Sequence, residues 1–195
     1  LRERFSPDGA PILVHTSNFR PVKRVTDVIR IFQQVREKID AKLLMIGDGP
    51  DRAEAERICR DEGFCEDVHF LGKQSGLVEL LSACDLFLIP SQNESFGLSA
   101  LEAMACGLPV ISSSVGGLPE LVRHGETGYI SEIGDIDRMA RYAIELLTDR
   151  RRYERFSDAA RTRASSMFGA DVLVEQYEHF YRQCLGKVEE TEDLP

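Results

Sequence analysis

Hydrophobic and polar positions along this chain fall into two alternating kinds of segment. Short apolar runs, many of them β-branched, occupy 11–16, 41–46, 67–71, 85–89, 109–112 and, more weakly, 128–130. Between them lie longer stretches with helical spacing. In the first of these, Val25, Val28, Ile29, Phe32 and Val35 recur every three or four residues and therefore share one helix face. Nearly all-apolar strands separated by helices predict a parallel sheet covered on both faces. The expected fold is α/β: a doubly wound, Rossmann-like parallel sheet of about six strands. After Asp135 the strand pattern stops, and helices are expected over 135–148, 150–166 and 170–185. The last carries Leu173, Tyr177, Phe180, Tyr181 and Cys184 on one stripe, a face that calls for a covering surface. No internal repeat interrupts this order. The reading is one ligand-binding domain over 1–186 followed by an acidic, fraying tail over 187–195.

Composition narrows the function classes. The 195 residues carry 24 Lys and Arg against 33 Asp and Glu, a net charge of −9. Nucleic-acid binding relies on a basic face that neutralises phosphates, so that partner is disfavoured. An anionic membrane surface is disfavoured for the same reason. No apolar run reaches the roughly 18–20 residues of a membrane span. The five cysteines, Cys59, Cys65, Cys84, Cys106 and Cys184, are odd in number and form no C-x-x-C pair. They are expected as reduced, mostly buried thiols of a cytoplasmic protein. Asn93-Glu94-Ser95 matches a glycosylation sequon and is read as chance. His15, His69, His124 and His179 show no metal-binding spacing. Neither a metal nor a cofactor is expected. The chain opens on Leu1 rather than Met, which makes an upstream segment an expectation.

In an open parallel sheet, ligands bind where strands end and loops lead into helices. Four such loops stand out. The first is Ser17-Asn18-Phe19-Arg20-Pro21-Val22-Lys23-Arg24. Its three cations precede a helix N-terminus, where they oppose the helix dipole unless an anion lies between. A solvated basic turn is the plain alternative. The second, Gly47-Asp48-Gly49-Pro50, gives the backbone freedom to turn or to approach a ligand. It is not the G-x-G-x-x-G fingerprint and follows the second strand, which counts against a dinucleotide. The third, Leu71-Gly72-Lys73-Gln74, could offer backbone groups to a flat base edge, although its residues do not demand it.

The fourth loop, from Pro90 to Pro109, carries most of the chemistry. Glu94 and Glu102 stand eight positions apart, with Ser95, Phe96, Gly97 and Leu98 between them. Gly97 falls where the amides of a helix start are unsatisfied, which makes an anion site. Glu102, about one turn into that helix, can point back toward the same opening. Alternatively, Ser99-x-x-Glu102 fits a capping box, in which Glu102 serves only its own helix. No G-x-S-x-G is present to suggest a serine hydrolase.

The run ESFGLSALEAMACGLPV, followed by GGLPELVRHGETGYI, resembles glycosyltransferase family 4, retaining enzymes built of two facing Rossmann domains (the GT-B architecture). The likeness extends over about 12–148. It implies that this chain is the donor-binding C-terminal half, without the N-terminal domain that holds most of the acceptor site. It further implies Glu94 on the donor hexose, Glu102 on the ribose hydroxyls, and the Gly97 and Leu98 backbone on the diphosphate. Lys23 would also hold the diphosphate, and Lys73-Gln74 would pair with the base through the main chain. Asn18 stands where the family usually has an arginine, and Arg20 follows two positions later. The implied catalytic residues are therefore Glu94, Lys23 and Arg20. The implied nucleotide-sugar contacts are Ser17, Asn18, Gly47, Lys73, Gln74, Ser95, Phe96, Gly97, Leu98 and Glu102. Within the family, the SNFRPVKR loop, DAKLLMIGDGP, FLGKQ and QYEHFY resemble a subgroup acting in bacillithiol biosynthesis. That likeness implies a UDP-N-acetylglucosamine donor and an L-malate acceptor. Another acceptor, a sugar-nucleotide 2-epimerase and a non-catalytic nucleotide-binding module remain as alternatives. The reading leaves a homodimer open, and the chain alone is expected to transfer little.

Overall fold

A strand whose residues are apolar on both sides needs a helical layer on each face of its sheet, and the chain supplies both. The computed structural model describes residues 1–186. After the short helix α1 (Arg2–Phe5), β1 (Ile12–Ser17) leads through a 3-10 turn at Pro21–Lys23 into α2 (Val25–Arg36). Next come β2 (Lys42–Gly47) and α3 (Arg52–Asp61), then a 3-10 turn at Cys65–Asp67, β3 (Val68–Gly72) and α4 (Leu77–Ser82). The pattern repeats in β4 (Leu86–Ile89) with α5 (Leu98–Ala105), and in β5 (Val110–Ser113) with α6 (Leu118–Leu121). It closes with β6 (Gly128–Ser131), α7 (Ile136–Thr148), α8 (Arg150–Phe168) and α9 (Ala170–Cys184). The strands form one six-stranded sheet in the order β3-β2-β1-β4-β5-β6, and every pairing is parallel. The chain reverses direction across the sheet between β1 and β4, and this is the switch point at which such folds open a crevice.

Alternation along each strand sorts the core into two layers. Leu13, Leu43, Met45, Leu86, Leu88 and Ile111 pack with the α2 face, with Met139 and Ala143 of α7, and with Phe156. Val14, Leu44, Ile46, Phe87, Ile89 and Val110 pack on the other side with Ala100, Ala103 and Met104 of α5 and with Ala160 of α8. Every residue of the α2 stripe is fully buried. Helices α7 and α8 start on side-chain caps: Asp135 accepts from the Arg138 amide (3.2 Å), and Asp149 accepts from the Arg152 amide (3.1 Å).

Each expected strand is present, most of them displaced by one residue toward the C-terminus. Three expectations need correction or restriction. Cys59 and Cys65 are not both free thiols: the turn through Gly63 folds the end of α3 onto the approach to β3, bringing their Cα atoms to 4.9 Å, and the sulfurs are bonded. Cys84, Cys106 and Cys184 are free. The aromatic stripe of α9 buries no side chain, and Tyr177, Phe180 and Tyr181 are each more than half exposed. The expected tail over 187–195 lies outside the described residues.

Candidate functional site

At the carboxyl edge of the switch point, two loops approach each other from opposite sides. The β1 loop enters its 3-10 turn on Pro21, whose ring presets the backbone angle, and ends that turn on Lys23. The β4 loop carries Glu94 and runs into α5. The Gln92 amide donates to the Val22 carbonyl (2.7 Å), tying the loops together just before the lysine. Lys23 Nζ then donates to Glu94 Oε1 at 2.6 Å. Ser91, fully buried, donates its hydroxyl to the same carboxylate oxygen (2.9 Å), while the Ser113 hydroxyl donates to the Ser91 carbonyl. Glu94 is thus held from β1, β4 and β5 at once, and among the described residues its second oxygen has no hydrogen-bond or ion-pair partner.

Gly97 is the N-cap of α5, with φ +95, a left-handed conformation that glycine adopts without strain. No side chain caps this helix end. Among the described residues the amides of Gly97, Leu98 and Ser99 donate to no acceptor, so three N–H groups and the positive end of the helix dipole face the cleft. The loop before them is pressed from behind. The backbone at Gly116 (φ +50) lies so close to the Glu94 carbonyl that a Cβ there would overlap it, so the Gly116-Gly117 pair lets α6 back the whole segment. Phe96 meets Phe168 edge-on at 5.6 Å, anchoring the same loop on the end of α8.

Lys23, Glu94, Ser95, Phe96, Gly97, Leu98 and Ser99 line one cleft of about 290 Å³. A larger groove of about 530 Å³ runs between α2 and α7, lined by residues such as Arg30, Gln33 and Arg141. It lies between two outer helices, where the Gln34 amide donates across to Asp137 (2.7 Å) and neither Lys23 nor Glu94 takes part, and we place the site at the smaller cleft.

The other expected site residues distribute around this centre. Glu102 lies one turn further along α5, exposed and without a side-chain partner among the described residues. The capping-box alternative fails: the helix begins at Gly97, which leaves Ser99 inside its first turn rather than at its cap. Ser17 turns its hydroxyl inward, to His15 (2.8 Å) and to the Phe19 amide (3.2 Å). Asn18 and Arg20 are exposed. Gly47 is buried against the Ser17 carbonyl, where a Cβ would overlap the backbone. Lys73 and Gln74 follow β3 at the sheet edge, exposed, with the Gln74 amide donating to the Leu71 carbonyl (2.6 Å). The cation cluster is also accounted for in part. Arg24 pairs with Asp27 in the first turn of α2 (2.6 Å) and Lys23 pairs with Glu94, leaving Arg20 as the cation of the loop without an ion-pair partner among the described residues.

Sequence reasoning missed Ser91, Ser113 and Gly116. Each acts on Glu94 across the sheet, and nothing local in the sequence marks that role. His15 is fully buried and does not line the cleft. Among the described residues no group of three or more His, Cys, Asp or Glu side chains is placed to hold a metal ion. No described helix is long and apolar enough to cross a membrane.

The family model "Glycosyl transferases group 1" matches residues 2–163. N-acetyl-alpha-D-glucosaminyl L-malate synthase of Bacillus anthracis is 45% identical over 178 residues, covering 91% of this chain and 47% of that protein. A GDP-mannose-dependent phosphatidylinositol monomannoside mannosyltransferase of Corynebacterium glutamicum is 31% identical, over 87% of this chain and 46% of its own length. The chain therefore spans about half the length of the curated relatives it matches. Among solved structures, sucrose-phosphate synthase from Thermosynechococcus elongatus superposes with a TM-score of 0.82 at 29% identity, over 93% of this chain and 47% of that one. Anabaena Alr3699/HepE, solved with UDP and glucose, gives 0.84 at 25% identity, over 93% of this chain and 51% of that one.

Proposed function

The chain belongs to the glycosyl transferases group 1, and from that premise we propose that its cleft binds the diphosphate of a UDP-sugar. The observation that carries this reading is the juxtaposition of Lys23 with the unpaired amides at the start of α5. A diphosphate set between them completes the helix dipole and draws the lysine from Glu94. Glu94 is then released to accept hydroxyl hydrogen bonds from the sugar. In this reading Glu102, exposed one turn along, accepts from the ribose hydroxyls, and the Lys73-Gln74 backbone pairs with the base.

The reaction we assign is transfer of N-acetylglucosamine from UDP-N-acetylglucosamine to L-malate with retained configuration. It is supported by the 45% identity to the Bacillus anthracis malate synthase. As the sugar leaves, negative charge grows on the diphosphate, and fixed donors aimed at that charge are the largest usual source of rate enhancement. Lys23 and the α5 amides are such donors. The leaving phosphate takes the acceptor proton on the face it vacates. The rest of the acceptor site belongs to an N-terminal domain outside this chain, so the chain alone binds donor and transfers little. The 31% identity to a GDP-mannose-dependent relative favours one rival, a guanine donor.

Calorimetric titration decides between them. UDP is expected to bind the chain and GDP to bind at least tenfold more weakly. Lys23→Ala is expected to weaken UDP by roughly 10- to 100-fold, the equivalent of about 1.5–3 kcal/mol for a charge-assisted hydrogen bond. Equal UDP affinity in the variant removes Lys23 from the site, and preference for GDP removes the donor assignment.

A further inference from the structure

The crevice opens at one place in the sheet. β1 and β2 stay paired as far as Ser17 and Gly47, and β4 and β5 as far as Ile89 and Ser112. Between β1 and β4, however, the register ends at Val14 and Phe87. The next link across that gap is a side chain: His15 Nδ1 lies 2.8 Å from the Leu88 carbonyl oxygen. A carbonyl only accepts, so Nδ1 carries the proton and the neutral ring presents Nε2 as an acceptor. Nε2 takes the Ser17 hydroxyl at 2.8 Å, and that oxygen accepts the Phe19 amide at 3.2 Å. Phe19 is fully buried, stacks on the imidazole with ring centres 6.1 Å apart, and holds a positive φ of 41°, uncommon for a non-glycine residue. Its carbonyl accepts the Asp51 amide (3.0 Å), which extends the chain of contacts to the β2 loop.

We propose that His15 is a positioning residue that fixes the spacing of the Lys23 and Glu94 loops, and through it the width of the phosphate cleft. An apolar residue at this position would leave the Leu88 carbonyl without its side-chain donor and the Ser17 hydroxyl without its acceptor. Leu88 is fully buried, so the loss of its donor is costly, and the half-buried Ser17 loses its acceptor as well. The Phe19 turn, which starts the loop that ends in Lys23, would then lose the relay that holds its strained backbone. This inference rests on the nucleotide reading of the cleft only where it concerns affinity; the bracing of the two strands is independent of any ligand.

The test compares His15→Ala, His15→Asn and Ser17→Ala in the 195-residue chain. UDP affinity is expected to fall about tenfold in His15→Ala and to recover to within threefold of wild type in His15→Asn, whose amide can restore the donor to Leu88. Amide hydrogen exchange, measured without ligand, is expected to speed at least tenfold at Phe19 and Gln92 in His15→Ala, with β2–β3 amides unchanged. Ser17→Ala is expected to speed Phe19 alone, and it serves if His15→Ala does not fold. A lowered melting temperature with unchanged UDP affinity and unchanged exchange at Phe19 and Gln92 overturns the inference. If wild type binds no UDP, the nucleotide reading falls, and exchange at these two amides still decides the role of His15.

Discussion

Seventy-one positions separate Lys23 from Glu94, yet their charges meet at 2.6 Å, so each was readable singly while their pairing was not. Cations before a helix and a carboxylate before a glycine are local patterns. The contact depends on β1 and β4 being neighbours, which no local pattern states. Burial of His15 is similarly invisible to spacing, and it has a measurable consequence. Removal from water disfavours the charged ring, and Lys23 adds to this, while the Leu88 carbonyl and Glu94 act in the opposite sense. The net effect is a pKa pushed down to about 4 from an ordinary 6.5. Above pH 6.5 both folded and unfolded chains hold the ring neutral. As pH falls from 6.5 to 4, the unfolded chain binds a proton that the folded chain refuses, so stability declines. The His15 contribution to that loss is about 3 kcal/mol. Urea unfolding at pH 7.5 and pH 4 is expected to show wild type losing about that much more than His15→Asn. Parallel losses in the two proteins would remove His15 as the cause.

At the scale of elements, alternation and helical spacing were sufficient to find all six strands and the long helices, because both faces of the sheet are buried and every helix facing it needs an apolar stripe. What stayed hidden were features set by backbone geometry. The start of α5 depends on the left-handed Gly97, and this overrode the Ser99 and Glu102 capping pattern. The pairing of Cys59 with Cys65 depends on a tight turn between α3 and β3, while their spacing in sequence suggested nothing. Thiol titration of the unfolded chain, purified without reductant, is expected to give three reactive groups before reduction and five after it, matching Cys84, Cys106 and Cys184 as the free set. Opening so short a loop is expected to cost about 2 kcal/mol of stability. Five thiols before reduction would restore the reduced state read from the sequence.

For the whole molecule, the apolar content is invested in two layers on either side of the sheet, and α9 lies outside both. Its stripe of Tyr177, Phe180 and Tyr181 was legible as a packing face, but its surroundings could not be read from this chain's sequence. Because α9 buries no side chain, ending the chain at Gly169 is expected to change unfolding stability by less than about 1 kcal/mol and UDP affinity by less than twofold. A larger loss in denaturant unfolding would show that α9 supports the fold.

A diphosphate lodged between Lys23 and the opening amides of α5 would be observed directly in a crystal structure of the chain with UDP. The expected result places phosphate oxygens within hydrogen-bonding distance of the Gly97 and Leu98 amides and of Lys23 Nζ, with the lysine moved off Glu94. Density for UDP at any other part of the sheet edge, with the Lys23–Glu94 pair intact, would contradict it.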